Sequence, residues 1–342
     1  MNDLEIRELD PNDEAAFAAW HHAYAVAEVH ELGEVGSAWQ LQEVHAAMED
    51  GGSHTWSGGW SGVVDGETVA AGWMSTPLLD NRELAEMAVH VLPDHRRRGY
   101  GSAVLAHLES VARERGRRVL TGLASWRHEA GSSGAGASGP GFAEAHGWTL
   151  ALTEVQRDLA LPVPTALLNR LAAEAAPAHA DYTLRSWSGP VPDDLLQGWA
   201  ELNALLPTEA PTGDLELEPD SVNTTVVRER ESTLERQGRT KYNTIALDGT
   251  GTAVAYTDLV TTIHEPGRAY QFGTMVRREH RGHRLGVAVK VANLRLLQDE
   301  RRDIRRLTTF NAEVNAHMVG VNDAMGFEPV ARLGDFQKRL ED

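Results

Sequence analysis

Apolar residues recur at helical spacing in two distant stretches. Val104, Leu105, Leu108 and Val111 form one, and Val287, Val291, Leu294 and Leu297 the other, so each predicts a long helix with one buried face. Ahead of each helix lies an extended run, residues 85–91 and 269–276, which predicts a strand. Earlier still, Asp65-Gly66 and Asp248-Gly249 mark hairpins, because both residue types tolerate the positive φ of a tight turn. A strand at 5–9 or 182–187 opens each series and leads into a helix begun by Asp and Pro. A further strand and a short helix close it. Strands and helices in this mixed order predict an α+β (α/β) fold, with a mixed sheet flanked by helices.

The two series are copies. Ile6-Arg7 is echoed by Leu184-Arg185, Val63-Val64-Asp65-Gly66 by Ala246-Leu247-Asp248-Gly249, and His95-Arg96 with Gly101 by His280-Arg281 with Gly286. Leu120-Thr121 answers Leu307-Thr308, and Gly147-Trp148 answers Gly326-Phe327. All five pairs keep their order at roughly constant offset, the mark of a duplicated unit. Two tandem domains follow, residues 1–162 and 179–342. Between them, 163–178 reads as a linker helix bounded by Pro162, Pro164 and Pro177, or as a helix closing the first domain. Two Gly-rich stretches interrupt the pattern: 51–62 reads as a mobile loop, and 131–141 as a surface insertion or a lid.

Charge and composition narrow the function. The chain of 342 residues carries 32 Lys+Arg against 50 Asp+Glu, a formal net charge of −18. Such a chain repels phosphate backbones, which argues against nucleic-acid partners. It has no cysteine, hence no disulfide, thiolate metal site or cysteine nucleophile. No apolar run approaches the ~20 residues of a membrane helix, and the acidic N-terminus lacks the apolar core of a signal peptide. A cytoplasmic protein without a membrane partner is expected. No HExxH motif or acid/His spacing suggests a metal.

Against this acidic background one cationic turn stands out. The strand ending Val89-His90-Val91 runs into Arg96-Arg97-Arg98-Gly99-Tyr100-Gly101-Ser102 and then a long helix. Free amides at a helix start, together with its dipole, suit a phosphate, and glycines let it come close. Arg96-x-x-Gly99-x-Gly101 after Val91-x-Pro93 resembles the acyl-CoA loop of the GNAT superfamily of N-acetyltransferases, and the resemblance extends over nearly all of both copies. It implies two tandem GNAT-like domains, each a mixed, mostly antiparallel sheet. It also implies that backbone groups of Val89, His90 and Val91 pair with the pantetheine arm of acetyl-CoA. The amides from Arg96 to Ser102 would hold the pyrophosphate.

In the second copy the corresponding run is Thr274, Met275 and Val276, then Arg281, Gly282, His283, Arg284, Leu285 and Gly286. Arg284 stands where the family's first loop glycine is expected, at a cost of ~1 kcal/mol if φ is positive there. Asn315 falls where the family often has a pantetheine-contacting Asn. Asn322 and Ala143 fall where many members carry a Tyr that protonates the departing thiolate, so neither copy offers that acid. The family's usual strand carboxylate would sit at Ala85. Glu86 is one residue off, and on a regular strand that turns it to the other face unless a bulge intervenes. Tyr270 holds the usual place in the second copy. Glu86 and Tyr270 are the candidate catalytic residues; His90, His264, His280 and His283 are other ionisable groups nearby.

The resemblance implies an acetyl-CoA-dependent N-acetyltransferase, and the acidic balance favours a cationic small-molecule amine. A non-catalytic acyl-CoA-binding protein is the alternative, because the thiolate acid is missing from both copies. The acceptor, the acyl chain, the catalytic copy and the oligomeric state are open at this level.

Overall fold

A computed structural model describes residues 4–49 and 52–341. The chain forms two compact units, each described by itself. The first runs to Glu154 and also takes Gly213–Glu216 and the chain from Ala331 onward; the second takes Val155–Thr212 and Leu217–Val330.

In the first unit come β1 (Glu5–Glu8), α1 (Glu14–Val29), α2 (Leu41–Glu49), β2 (Thr55–Val64), β3 (Glu67–Pro77) and β4 (Leu84–Val91). After them come α3 (Tyr100–Glu114), β5 (Val119–Arg127), α4 (Ser138–Ala145) and the start of β6 (Thr149–Ala160). Asp13 opens α1 by accepting the Ala16 amide at 3.0 Å, an N-cap that satisfies an otherwise orphaned donor. The sheet order is β1-β2-β3-β4-β5-β12, where β12 (Glu328–Arg339) is the last strand of the chain. Every pairing for which a register is seen is antiparallel except β4 with β5. Adjacent strand residues face opposite ways. Ala70, Ala85, Met87, Leu120 and Phe336 therefore meet Val104, Leu105 and Leu108 of α3, while Ala71 meets Phe17, Trp20 and Ala23 of α1.

The second unit repeats this plan with β7 (Thr183–Ser188), α6 (Asp193–Glu209), α7 (Thr224–Arg236), β8 (Arg239–Leu247), β9 (Ala253–Thr262) and β10 (Arg268–Val276). It continues with α8 (Leu285–Glu300), β11 (Arg306–Ala312) and α9 (Ala316–Met325), in the sheet order β6-β11-β10-β9-β8-β7. Val287, Val291, Leu294 and Leu297 of α8 are buried, as their spacing predicts.

Four expectations change. The compact units are not contiguous stretches, because the strand closing the first sheet is the last one in sequence. Residues 163–178 do not act as a free linker: α5 (Thr165–Ala175) buries Leu168, Leu171 and Ala175 in one core with Val291 and Met325 of the second unit. The 51–62 stretch is largely strand β2 rather than a loop. Its glycines permit close packing, since a Cβ on Gly59 would lie 2.8 Å from Met48 Cε and 2.9 Å from Leu9 Cδ2. Likewise, residues 131–141 are not wholly irregular, as α4 begins at Ser138. No described helix is long and apolar enough to cross a membrane.

Candidate acyl-CoA site

Strands β4 and β5 pair only through Leu84–Glu86 and Val119–Thr121, although both continue for several residues. Beyond Glu86 they part, and the β5-facing backbone groups of β4 are left without a strand partner. A cavity of about 1120 Å³ occupies this region, lined by Val89, His90 and Val91 on one side and Leu123, Ala124 and Ser125 on the other. Ser133–Gly141, the Gly-rich stretch, forms another part of its wall. The second unit has the same split: β10 pairs with β11 only through Arg268–Tyr270 and Arg306–Thr308.

At the mouth of the split lies the cationic turn. Arg97 and Gly99 have φ of 62° and 85°, and Gly99 immediately precedes α3. The helix thus starts with Tyr100, Gly101 and Ser102, whose amides have no carbonyl four residues back to bond. Gly101 is needed for close approach, since a Cβ there would lie 3.2 Å from the Phe142 ring. The Arg96 amide, in contrast, donates to Pro93 O at 3.2 Å. Its guanidinium bonds Val91 O at 3.2 Å, Glu31 at 3.2 Å and Ala27 O at 3.3 Å. Arg96 therefore fastens the turn to the end of α1. Arg97 lines the cavity, and Arg98 folds back to Asp94 O at 3.0 Å.

The second turn has the same backbone with its residue types exchanged. Gly282 and Arg284 have φ of 87° and 53°, so each loop places one glycine and one arginine in the left-handed region. The strain expected at Arg284 is real, but Arg97 carries it equally in the first loop. Arg281 mirrors Arg96, reaching Val276 O at 3.4 Å and Glu209 at 2.7 Å. His283 Nδ1 donates to Ala178 O at 3.1 Å, Leu285 is buried, and Gly286 has open space around it. Thr274 bonds Thr257 at 2.8 Å, and the Met275 side chain lies in the core. Asn315 caps α9 by accepting the Met318 amide at 3.1 Å.

The candidate catalytic residues sit at equivalent points, the apex of each split. Glu86 lies beside Thr121 and Tyr270 beside Thr308. In the second unit a register shift between Gln271 and Thr274 brings Tyr270 there. In the first unit β4 runs against β3 without a shift, so it is Glu86, not Ala85, that leaves the α3 side. No bulge is needed to turn it to that face. Burial first, then the charge of Asp335, holds the Glu86 carboxyl above its ordinary range. Tyr270 instead donates its hydroxyl to Glu265 at 2.5 Å.

Glu28 and His146, which the sequence did not single out, lie in the wall of the first cavity. His146 lines the first cavity; its Nδ1 donates to Phe142 O at 2.8 Å, so Nε2 is left to accept the Ser102 hydroxyl at 2.9 Å. His90 bonds Glu28 at 2.9 Å, and both line the cavity. In the second unit, Lys290 lies buried under Asn322, with Nζ 2.6 Å from its Oδ1, and burial lowers it to about 7. A lone lysine in the apolar run Val287–Leu294 was a readable signal; His146 and Asp335 had none.

Known proteins can now be set beside this geometry. Residues 16–130 match the acetyltransferase (GNAT) family. A tandem GNAT protein from the clavulanic acid biosynthesis pathway, solved without acetyl-CoA, superposes with a TM-score of 0.79 at 29% identity, covering 99% of this chain and 100% of that one. The first unit carries the GNAT match, and the chain has the fold of a tandem GNAT protein. A GCN5-related N-acetyltransferase from Sphaerobacter thermophilus shares the fold at a TM-score of 0.66 and 17% identity, covering 100% and 97% of the two chains. So does a putative acetyltransferase from Pyrococcus horikoshii, at 0.57 and 12%, covering 100% and 91%. No curated protein matches the chain. The GNAT family is one of acyltransferases, and the first of the two turns lies within the matched residues.

Proposed function

We propose that this protein transfers the acetyl group of acetyl-CoA directly to an amine of a small molecule, with the chemistry in the first unit. The observation that carries this reading is the split of β4 from β5, with a turn of helix-start amides at its mouth and Glu86 at its apex. The residues fit the cofactor: Val89 and the Val91 amide offer a pantetheine arm strand backbone that β5 does not pair, while the Val91 carbonyl is held by Arg96. Gly99–Ser102 offer amides and a helix dipole to a pyrophosphate. When bound, acetyl-CoA supplies an activated thioester. Glu86 removes the amine's proton, a task suited to a carboxyl raised toward neutrality. The high acidic charge favours a cationic acceptor, disfavours nucleic acid, and is compatible with action in the cytoplasm.

A second reading concerns the second unit alone: it binds acyl-CoA without turnover. There the apex group, Tyr270, is engaged with Glu265, and Asn322 cannot donate a proton as an acid would. Calorimetry with acetyl-CoA gives the number of sites, and thiol release with a panel of amines gives turnover. Wild type should show both. Gly101→Asp should weaken acetyl-CoA at the first site at least tenfold, because it puts bulk and negative charge beside the phosphates. Unchanged affinity in that folded variant rejects the assignment of the site.

A further inference from the structure

Paired strand residues share a face, so Glu86, Thr121, Leu123 and Asp335 lie together on the side of the first sheet away from α3. Glu86 comes from β4 and Asp335 from the strand that ends the chain. Glu154 of β6 feels the charge of Asp335 as well. His90, with its partner Glu28, lies two alternations along β4 on the same face. None of Glu86, Asp335 and Glu154 meets a cationic side chain among the described residues, and Asp335 Oδ2 is sealed from water without accepting a hydrogen bond. Half-buried carboxylates without a cationic partner are costly, which is why all three are raised above the ordinary carboxylate range.

The second unit shows how the same face looks when its charges are matched. Arg268, at the position of Leu84, is buried with Nη1 3.1 Å from Glu265, Nε 3.2 Å from Thr308 and its guanidinium 5.0 Å over the Tyr270 ring. Asp158 accepts the Thr308 hydroxyl at 2.7 Å and lies 3.7 Å from Arg306. Gln156 stands where the repeat aligns it with Asp335. The second unit thus seats a buried, paired cation on this face. In the first, the strand cation Arg339 is engaged with Glu83 and Glu216, and none meets Glu86 or Asp335 among the described residues.

We infer that the first unit's face receives an aliphatic amine bearing at least two ammonium groups, and that Asp335 is a specificity-determining residue that positions it against Glu86. This rests on the transferase reading. Two charges are needed because one nitrogen must become neutral to react while another keeps the molecule anchored. The reacting ammonium passes one proton to the Glu86 carboxylate. Its nitrogen lone pair forms the C–N bond to the thioester carbon, the C–S bond breaks, and the thiolate takes the second nitrogen proton. Amide and CoA thiol leave, and Glu86 returns its proton to water.

The test uses the full chain with CoA bound and 1,4-diaminobutane as the probe, titrated by calorimetry in two buffers of different protonation enthalpy. Saturable binding with proton release is expected, because the ammonium groups draw protons off the carboxyls. 1-Butylamine should bind at least tenfold more weakly. Asp335→Asn should keep its CoA affinity, weaken the diamine at least tenfold and reduce the proton release. It should also move the acid limb of the kcat/KM profile to lower pH, since Glu86 loses a neighbouring negative charge. Absence of diamine binding, equal binding of both amines, or an Asp335→Asn variant that binds diamine as wild type does overturns the inference. Diamine binding without thiol release defeats the transferase reading and leaves only the diamine site and the positioning role of Asp335 standing.

Discussion

Glu154 illustrates how a single side chain ties the site to stability. Burial, then the charge of Asp335, raises it from 4.5 to about 7. A carboxyl raised on folding binds more protons in the native chain, so its contribution is fully present below pH 4.5 and is lost as the pH rises through about 7. Glu154→Gln removes that loss. Urea unfolding should show the variant little changed at pH 4.5 and more stable than wild type by on the order of 2 kcal/mol at pH 8. An equal difference at both pH values would trace the effect to packing instead. His146 acts on the cofactor side. Its fixed tautomer orients the Ser102 hydroxyl at the helix start, and losing one such bond is worth ~1 kcal/mol. His146→Ala should therefore weaken acetyl-CoA at the first site about fivefold by calorimetry, with the second site unaffected.

At the scale of elements, the readable features were those fixed by local chemistry. Asp-Gly pairs placed the hairpins, apolar spacing placed α3 and α8, and the Arg/Gly turns placed both loops. What local signals could not show was what each glycine serves. In β2, Gly58, Gly59 and Gly62 looked like a loop, yet each gives room to a neighbouring side chain. In the two turns, Arg97 and Arg284 occupy a left-handed backbone that sequence assigns to glycine, so an imbalance expected between the loops is absent. The side on which Glu86 falls depended on whether β4 is bulged, a property of its pairing with β3. Asp335 was illegible for a similar reason: only strand pairing brings it across more than two hundred residues to β5.

That long connection sets the largest-scale consequence. The first unit's sheet is completed by β12, which pairs with β5 from Val119–Arg339 to Arg127–Ala331 and buries Phe336 and Leu340 beside Met87 and Leu120. Burying one phenylalanine is worth about 1.5–3 kcal/mol, and stripping the strand also exposes a row of unpaired backbone groups along β5. Because the strand follows the second unit in sequence, the first unit depends on residues made after that unit although nearly all of its own come first. A chain ending at Val330 should therefore lose acetyl-CoA binding at the first site. Hydrogen exchange should rise throughout β4, α3 and β5, while peptides from β9 and α8 keep their protection. A synthetic peptide of residues 331–342 added in trans should restore part of that protection. Full protection of β5 in the shortened chain would show that the sheet holds without its last strand, and that Asp335 is carried by a strand the first unit does not need.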